Sequence, residues 1–241
     1  MTTKPPIRLT VLISGSGTNL QALIDATTSS PPLLPNTTIV RVICNHGSAY
    51  GLQRAMKASI PTHYHSLLPY KKLHPDPSVP VVSSTTSRNA PTTPAARAAY
   101  DTKLASLVLA DKPDIVIMAG FMLIVSSSFL TPLREASPKV WCINLHPSLP
   151  GGYVGAHGIH DAWTRFQEGT LEGGRTGVMV HEVVEEVDRG EAVVWREIEM
   201  REGETEGEFE ERVHGVEHEI VVEAVRVVGE RVWRERRGEE V

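Results

Sequence analysis

The chain has 241 residues, of which 41% are hydrophobic and 22% charged, so it can build the core of one globular domain over residues 1–241. A formal net charge of −5 argues against a nucleic-acid-binding surface, which normally carries a basic excess. Because no stretch reaches the length of a membrane span and no signal-type apolar segment precedes Ile7, we expect a cytoplasmic protein without membrane contact. The two cysteines, Cys44 and Cys142, show no metal or redox spacing, and we expect buried free thiols.

Strand-like and helix-like segments alternate through the first half of the chain. Apolar runs rich in β-branched residues predict strands over 7–14, 38–44, 114–120 and 140–145. Helical spacing of apolar residues predicts helices over 19–26, 51–59 and 100–110. This alternation indicates an α/β fold with a doubly wound, mostly parallel, Rossmann-like sheet, in which ligands bind at the carboxyl ends of the strands.

Residues 74–94 interrupt this pattern. Proline, serine and threonine dominate the segment, and no periodicity is visible. We expect a long surface loop or a flexible insertion that has no function of its own.

The sequence of the second half predicts that the parallel sheet ends in antiparallel strands. Two β-type runs, over 178–184 and 192–200, flank the turn Asp188-Arg189-Gly190 and predict an antiparallel hairpin that extends the sheet. Apolar residues at helical spacing from Phe209 to Val227 then predict a long C-terminal helix.

Asn144 and His146 are the first candidates for chemistry. Within Cys142-Ile143-Asn144-Leu145-His146-Pro147-Ser148-Leu149 they stand two residues apart at the end of a predicted strand, so their side chains project to the same face. An amide N–H beside an imidazole can stabilise an oxyanion and move a proton at one centre, as acyl or formyl transfer requires. A capped turn is the alternative, because Asn, His, Pro and Ser all suit strand ends.

The loop Ser14-Gly15-Ser16-Gly17-Thr18-Asn19-Leu20 joins the first predicted strand to the first predicted helix. Its glycines and small hydroxyl residues let the backbone approach an anion at a helix N-terminus. Leu20 stands where a dinucleotide motif needs a third glycine, and no Gly-Lys-Ser/Thr follows. What remains is a cradle for a single phosphate, with a tight structural turn as the alternative.

His181 and Asp188 complete a second group with His146. His181 lies in the predicted strand 178–184, and Asp188 lies at the hairpin turn. An aspartate that reaches an imidazole fixes its tautomer and favours its protonated form. We expect no metal, because the histidines have no ligand spacing with cysteine or carboxylate partners.

Together these motifs resemble the phosphoribosylglycinamide formyltransferase family, folate-dependent enzymes of purine synthesis. The resemblance covers nearly the whole chain apart from 74–94 and the C-terminal end. The matching strings are Ile13-Ser14-Gly15-Ser16-Gly17-Thr18-Asn19-Leu20-Gln21-Ala22-Leu23-Ile24, Gly51-Leu52-Gln53-Arg54-Ala55, Met118-Ala119-Gly120-Phe121-Met122, Ile143-Asn144-Leu145-His146-Pro147-Ser148-Leu149, Gly155-Ala156-His157, and Val180-His181 continuing to Asp188.

The resemblance implies a role for each matching position. Asn144 and His146 would flank the formyl carbon, with Asp188 supporting His146 and His181 in a supporting place beside them. Glu217 would lie near the glycinamide end of the ribonucleotide. The residues that would hold the ribonucleotide phosphate are Gly15, Ser16, Gly17, Thr18 and Asn19. The residues that would contact the folate are Arg97, Met122, Leu123, Ile124, Val125, Asn144, Val184, Glu185, Glu186, Val187 and Asp188.

Two departures from the family pattern affect the expected site. Leu123 stands in place of an arginine that often follows Gly-Phe-Met, so part of the folate contact differs. Pro150-Gly151-Gly152-Tyr153-Val154 replaces the usual Leu-Pro-x-Tyr-Pro, which changes the loop over the active site.

The resemblance implies transfer of the formyl group of 10-formyltetrahydrofolate to the amine of 5-phosphoribosylglycinamide, by a monomer or homodimer whose partners are small molecules. A formyltetrahydrofolate hydrolase is the nearest alternative, with water in place of the amine. That enzyme usually carries an additional N-terminal regulatory domain, whereas the first predicted strand here starts at Ile7. A non-catalytic nucleotide-binding module is a further alternative, but it would leave Asn144, His146 and Asp188 without a reason to occur together.

Overall fold

The computed structural model describes residues 5–76, 91–155 and 157–239, which form a seven-stranded sheet covered by helices on both faces. The strands are β1 Ile7–Ile13, β2 Thr37–Cys44, β3 Thr62–Tyr64, β4 Ile115–Met118, β5 Trp141–His146, β6 Arg175–Glu182 and β7 Ala192–Glu199. The helices are α1 Thr18–Thr28, α2 Tyr50–Lys57, α3 Leu68–Leu73, α4 Pro94–Ala110, α5 Ser127–Glu135, α6 Gly158–Gln167 and α7 Glu206–Arg236. A 3₁₀ turn spans Glu172–Gly174.

The strand order across the sheet is β3-β2-β1-β4-β5-β6-β7. Strands β1 to β5 pair in parallel, whereas β6 pairs antiparallel with both β5 and β7. Because β1 pairs with β2 on one side and β4 on the other, the strand order reverses between β1 and β4. A crevice opens beyond the carboxyl ends of the strands at such a reversal, and ligands of open α/β sheets bind there.

Two hydrophobic cores hold the helices to the sheet. One lies under α1, α2, α6 and α7, and the other lies under α4 and α5. Strand β1 contributes to both cores, with Val11 in the first and Leu12 in the second, and only Arg8 of this strand is exposed. Burial on both faces explains why the strand sequences are almost continuously apolar.

The predicted fold class, the C-terminal hairpin and the long last helix are confirmed. The last helix extends beyond its predicted apolar stripe at both ends, and a capping box between Thr205 and Glu208 starts it at Glu206. The sequence analysis missed β3, α3, α5 and α6. Their signals are weak, since β3 has only three residues, α5 contains Pro132 and α6 begins at Gly158.

The predicted insertion over 74–94 is only partly within the described residues, because 77–90 lie outside them. Its two ends meet where the Thr93 hydroxyl donates a hydrogen bond of 2.9 Å to the carbonyl of His74. Thr93 also caps α4, which begins at Pro94 rather than at Tyr100 as predicted. The C-terminal end of the expected loop is therefore the start of a helix.

Two expectations from composition can be compared with the described residues. Within those ranges no helix combines the length and apolar character needed to cross a membrane. Both cysteines are free thiols: Cys44 is buried, and Cys142 is intermediate in exposure as a residue, although burial of its thiol raises the pKa to about 12. Burial raises the pKa of the Cys44 thiol, so this group is a weak nucleophile.

Candidate active site

A cleft of about 860 Å³ runs along the carboxyl ends of β1, β4 and β5, where the strand order reverses. Its size suits small molecules, whose sites usually span about 300–1,000 Å³. The glycine loop and the segment after β4 lie side by side along it, and the β6–β7 connection and the start of α7 also line it. Among the described residues that line it are six histidines and no lysine or arginine. An anionic group in this cleft would therefore be met by backbone N–H groups and imidazoles.

Asn144 takes its place from the pairing of β5 with β6. It lies directly opposite His181 in the antiparallel ladder, and its amide nitrogen is 3.2 Å from His181 Nε2. His181 Nδ1 lies 2.8 Å from the carbonyl oxygen of Glu182, which can only accept, so Nδ1 donates. The Nε2 of the neutral ring is then an acceptor for the Asn144 amide N–H. Buried His181 thus fixes the direction of the Asn144 amide.

His146 projects to the same side as Asn144, because it follows two residues later in β5. The ring is 4% exposed, and its Nε2 lies 2.8 Å from the carbonyl oxygen of Tyr153. Since a carbonyl only accepts, His146 carries a proton on Nε2. The loop Pro150–Val154, whose sequence departs from the family pattern, therefore fixes the tautomer of His146.

Asp188 joins the two histidines from the β6–β7 connection. Its Oδ2 is 3.7 Å from His146 Nε2, and its Oδ1 is 3.5 Å from both His181 Nε2 and the Asn144 amide nitrogen. The Gly155 N–H donates to Oδ2 at 2.8 Å. Asp188 adopts a left-handed backbone with a φ of 55°, a conformation that aspartate tolerates better than most residues. The structure thus brings Asn144, His146, His181 and Asp188 together at one point of the cleft.

The carboxylate of Asp188 is kept ionised by its surroundings. Burial raises its pKa, but the neighbouring His181 ring, the hydrogen bond from the Gly155 N–H and the nearby His146 outweigh burial and lower the pKa below its ordinary value. At neutral pH the site therefore holds a negative charge that orients both imidazoles.

The glycine loop lies across the cleft from this group and is braced from behind by α2. The carbonyl of Gly15 accepts from the Gly51 N–H at 3.1 Å, and the carbonyl of Ser16 accepts from Arg54 Nε at 2.9 Å. Gly17, with a φ of 71°, is the N-cap of α1 and gives that helix no side-chain cap. With two carbonyls turned towards α2, the first N–H groups of α1 form an anion-binding end in a loop that lines the cleft.

Glu217 enters the cleft from α7 and meets the start of α1. Its Oε2 accepts a hydrogen bond of 3.1 Å from the amide of Asn19. Burial raises the pKa of Glu217, and the hydrogen bond from Asn19 and the charge of His214 only partly offset this effect. The predicted phosphate residues and the predicted glycinamide contact are thus neighbours.

The predicted folate contacts divide into residues that line the cleft and residues that do not. Those that line it are Met122, Leu123, Ile124, Val125, Asn144, Val184, Glu185, Val187 and Asp188. Glu186 is exposed and does not line it. Arg97 does not line it either, because its guanidinium lies beside Asp101, 3.9 Å from Oδ1, and over the ring of Tyr100.

Three groups near the site were missed in the sequence analysis. Gly51 and Arg54 belong to a matching string, but the sequence analysis assigned them no role in the glycine loop that they support. The contact of the Tyr153 carbonyl with His146 could not be predicted, because a backbone contact leaves no sequence signal. In the described ranges no cluster of three or more His, Cys, Asp or Glu side chains could hold a metal ion.

Comparisons with known proteins show the family of the chain. The family model described as "Formyl transferase" matches residues 7–225. A phosphoribosylglycinamide formyltransferase of Schizosaccharomyces pombe is 40% identical over 217 residues, covering 90% of this chain and 94% of the relative. Its Saccharomyces cerevisiae counterpart is 42% identical over 219 residues, again covering 90% of this chain and 94% of the relative. The crystal structure of glycinamide ribonucleotide transformylase 1 from Geobacillus kaustophilus is similar with a TM-score of 0.69 at 26% identity, over 92% of this chain and 98% of that one.

Proposed function

Because this chain belongs to the formyl transferase family, we propose that it transfers the formyl group of 10-formyltetrahydrofolate to the amine of 5-phosphoribosylglycinamide in purine biosynthesis. One observation carries the proposal at the level of residues. The side chains of Asn144, His146 and Asp188 meet in the same cleft as a glycine loop at a helix N-terminus. The first group suits formyl transfer, and the second suits a substrate with one phosphate.

In the proposed reaction the neutral amine attacks the formyl carbon, and negative charge develops on the formyl oxygen. Asn144 donates its amide N–H to this oxygen, in a direction that His181 fixes. Protonated His146 is the second stabilising group, and the loss of one such donor typically slows a reaction about 100- to 1,000-fold. These two residues are the ones that act on the reacting atoms.

The same residues also move the proton that the transfer releases. As the new C–N bond forms and the bond to the folate nitrogen breaks, one proton leaves the attacking amine and one is needed on the folate nitrogen. His146 is the carrier in this proposal, and the ionised Asp188 at 3.7 Å stabilises its protonated form. No metal and no covalent bond to the protein is required for this step.

Other residues of the cleft are assigned to the two substrates. We assign the phosphate to Gly15, Ser16, Gly17, Thr18 and Asn19, and the glycinamide end to Glu217, which already contacts Asn19. We assign the folate to the largely apolar side formed by Met122–Val125 and the 184–188 segment. The substrates are small molecules, and we place the reaction in the cytoplasm, with the enzyme a monomer or homodimer.

A formyltetrahydrofolate hydrolase is the competing function, because water could replace the amine at the same centre. The glycine loop and its contact with Glu217 favour the transferase, since a hydrolase has no ribonucleotide phosphate to hold. The purified chain should release the deformylated folate only when 5-phosphoribosylglycinamide is present. Equal rates with and without the ribonucleotide would reject the transferase.

A further inference from the structure

The segment Met122–Val125 is held by a hydrogen bond at each end. The Met122 N–H donates to the hydroxyl of Ser14 at 2.8 Å. The N–H of Ser126, the next residue after the segment, donates to Oδ2 of Asp101, also at 2.8 Å. Ser14 belongs to the glycine loop, whereas Asp101 lies on α4, which packs on the opposite face of the sheet from α1. The second anchor is therefore independent of the loop assigned to the ribonucleotide.

Asp101 is a buried carboxylate for which the proposed reaction has no use. It is fully buried, and a buried carboxylate is costly unless it is paired and hydrogen-bonded. Burial raises the pKa of Asp101, while its contacts with Ser126 and Arg97 act in the opposite direction. Asp101 Oδ1 and Arg97 Nη1, 3.9 Å apart, are both buried without a hydrogen-bond partner. The free-energy cost of burying this carboxylate requires a contact that offsets it.

That contact is the N-terminus of α5. Ser126 is the N-cap of this helix, but its own hydroxyl makes no capping hydrogen bond. Asp101, on α4, accepts the N–H of the N-cap residue itself, the part that an N3 side chain plays in a capping box, and its negative charge suits the positive end of the helix dipole. The position at which α5 begins is therefore set by a side chain of another helix.

The backbone path of Met122–Val125 decides which side chains reach the cleft. Met122 and Ile124 are 59% and 62% exposed, while Val125 is buried in the second core and Leu123 packs against it. A shift of the segment at Ser126 would move the two exposed side chains relative to the cleft.

We propose that Asp101 is a positioning residue for the folate, because it fixes the start of α5 and hence the path of Met122–Val125. Arg97 lies beside Asp101 in this arrangement, and its positive charge stabilises the buried carboxylate. The inference rests on the proposed function, in which Met122–Val125 faces the folate.

Steady-state kinetics of Asp101 variants test the inference. Asp101→Leu removes the acceptor of the Ser126 N–H, so the KM for 10-formyltetrahydrofolate should rise about tenfold, the effect of losing one buried hydrogen bond. The KM for the ribonucleotide should stay within about twofold, since the glycine loop has its own supports. Asp101→Asn keeps an oxygen that can accept from Ser126 and should restore the wild-type KM. An unchanged folate KM in Asp101→Leu, or an equal rise in both KM values, would overturn the inference.

Asp114 offers a matched control at the opposite end of the strands from the cleft. It is also a buried carboxylate whose Oδ2 accepts a backbone N–H at 2.8 Å, from Arg8, but it lies at the start of β4, far from the cleft. Asp114→Leu should lower the melting temperature without changing the folate KM. If it raised the folate KM as much as Asp101→Leu, the effect would be general destabilisation, and the inference would fail.

A double-mutant cycle with Arg97 keeps the test valid even if Asp101→Leu does not fold. Arg97→Met should raise the folate KM in the wild-type background, because it leaves the buried Asp101 charge without its nearby cation. In the Asp101→Asn background the same change should have a smaller effect, since no carboxylate charge is left to pair with. An equal effect in both backgrounds would show that Arg97 does not support Asp101 and would contradict the inference. Wild-type activity is measured in parallel, because its dependence on the ribonucleotide tests the proposed function separately.

Discussion

At the scale of single residues, the site is a product of strand register. Asn144 and His146 share a face because they are two apart in β5, and His181 meets Asn144 because β6 pairs antiparallel in that register. A slip of one residue would turn these side chains to the other face. Gly190 lies where the β6–β7 connection enters β7, and a side chain there would collide with the carbonyl of Glu182 and disturb the pairing of these two strands. Asp188 is thereby held beside both imidazoles.

Gly17 is the residue whose replacement should separate the two substrates. A Cβ at Gly17 would lie 2.6 Å from Gly51 Cα, and its φ of 71° disfavours any side chain. Gly17→Val should push the loop off α2 and raise the KM for the ribonucleotide by about tenfold or more, with a much smaller effect on the folate KM. Gly229→Ala is a suitable control, because its Cβ would make only an ordinary contact with Ile7. A folded Gly17→Val variant that lost folate affinity selectively would contradict the assignment.

Asp188 should control the pH dependence of the reaction. Its lowered pKa keeps it ionised at neutral pH, and this charge lies 3.7 Å from His146 Nε2, where it stabilises positive charge that forms during proton transfer. Asp188→Asn removes the charge and nearly preserves the shape, so positive charge on the imidazole is less stabilised during proton transfer. The variant should lose rate, and its residual activity should shift towards lower pH. The test is to measure kcat of both proteins at several pH values between about 5 and 9, a range that brackets the ordinary histidine pKa of about 6.5.

His146→Ala gives the reference for that experiment. It removes both an oxyanion partner and the proton carrier, so kcat should fall about 100- to 10,000-fold while substrate binding is largely retained. Asp188→Asn should lie between this variant and the wild type. Wild-type rates across the pH range in Asp188→Asn would remove Asp188 from the mechanism.

At the scale of elements, α7 carries the largest share of regular structure and depends on its first turn. Thr205 and Glu208 form a capping box, and the helix runs 31 residues to Arg236. Thr205→Ala should cost about 1 kcal/mol of unfolding free energy and lower the melting temperature by roughly 2–4 °C. Ser126→Ala is the matched control, since Ser126 is also an N-cap but its hydroxyl makes no capping bond. Equal losses in the two variants, measured by thermal unfolding, would show that the capping box does not stabilise α7.

The predictability of the elements follows from the strength of their local signals. Buried strands such as β1 and the amphipathic α7 have apolar patterns long enough to read from sequence. Helices α5 and α6 do not, because a proline, a glycine and short length weaken their patterns, and tertiary packing decides their conformation. The contact between Asp101 and Ser126 was equally hidden, since the two residues lie 25 positions apart, on either side of β4, and meet only in the folded chain.

At the scale of the whole molecule, the carboxyl ends of β1 and β4 bring together the loop assigned to the ribonucleotide and the segment assigned to the folate. The reversal of strand order between β1 and β4 sets the glycine loop beside Met122–Val125, and Ser14 links them through its hydroxyl. The composition predicted one domain and the strand–helix alternation predicted where the cleft would lie, and the motif residues Asn144, His146 and Asp188 meet there. Arg97 does not line this cleft, and its contact with the folate stays a prediction, because a sequence match carries no information about the direction of a side chain.

The fate of the formyl carbon tests the central claim most directly. The purified chain is given 10-formyltetrahydrofolate with a ¹³C-labelled formyl group and 5-phosphoribosylglycinamide, and the products are followed by NMR. We predict that the label appears in the amide of the formylated ribonucleotide, in equal amount to the folate released, and that His146→Ala slows this transfer. Label that accumulates as free formate at the same rate, whether or not the ribonucleotide is present, would contradict the account.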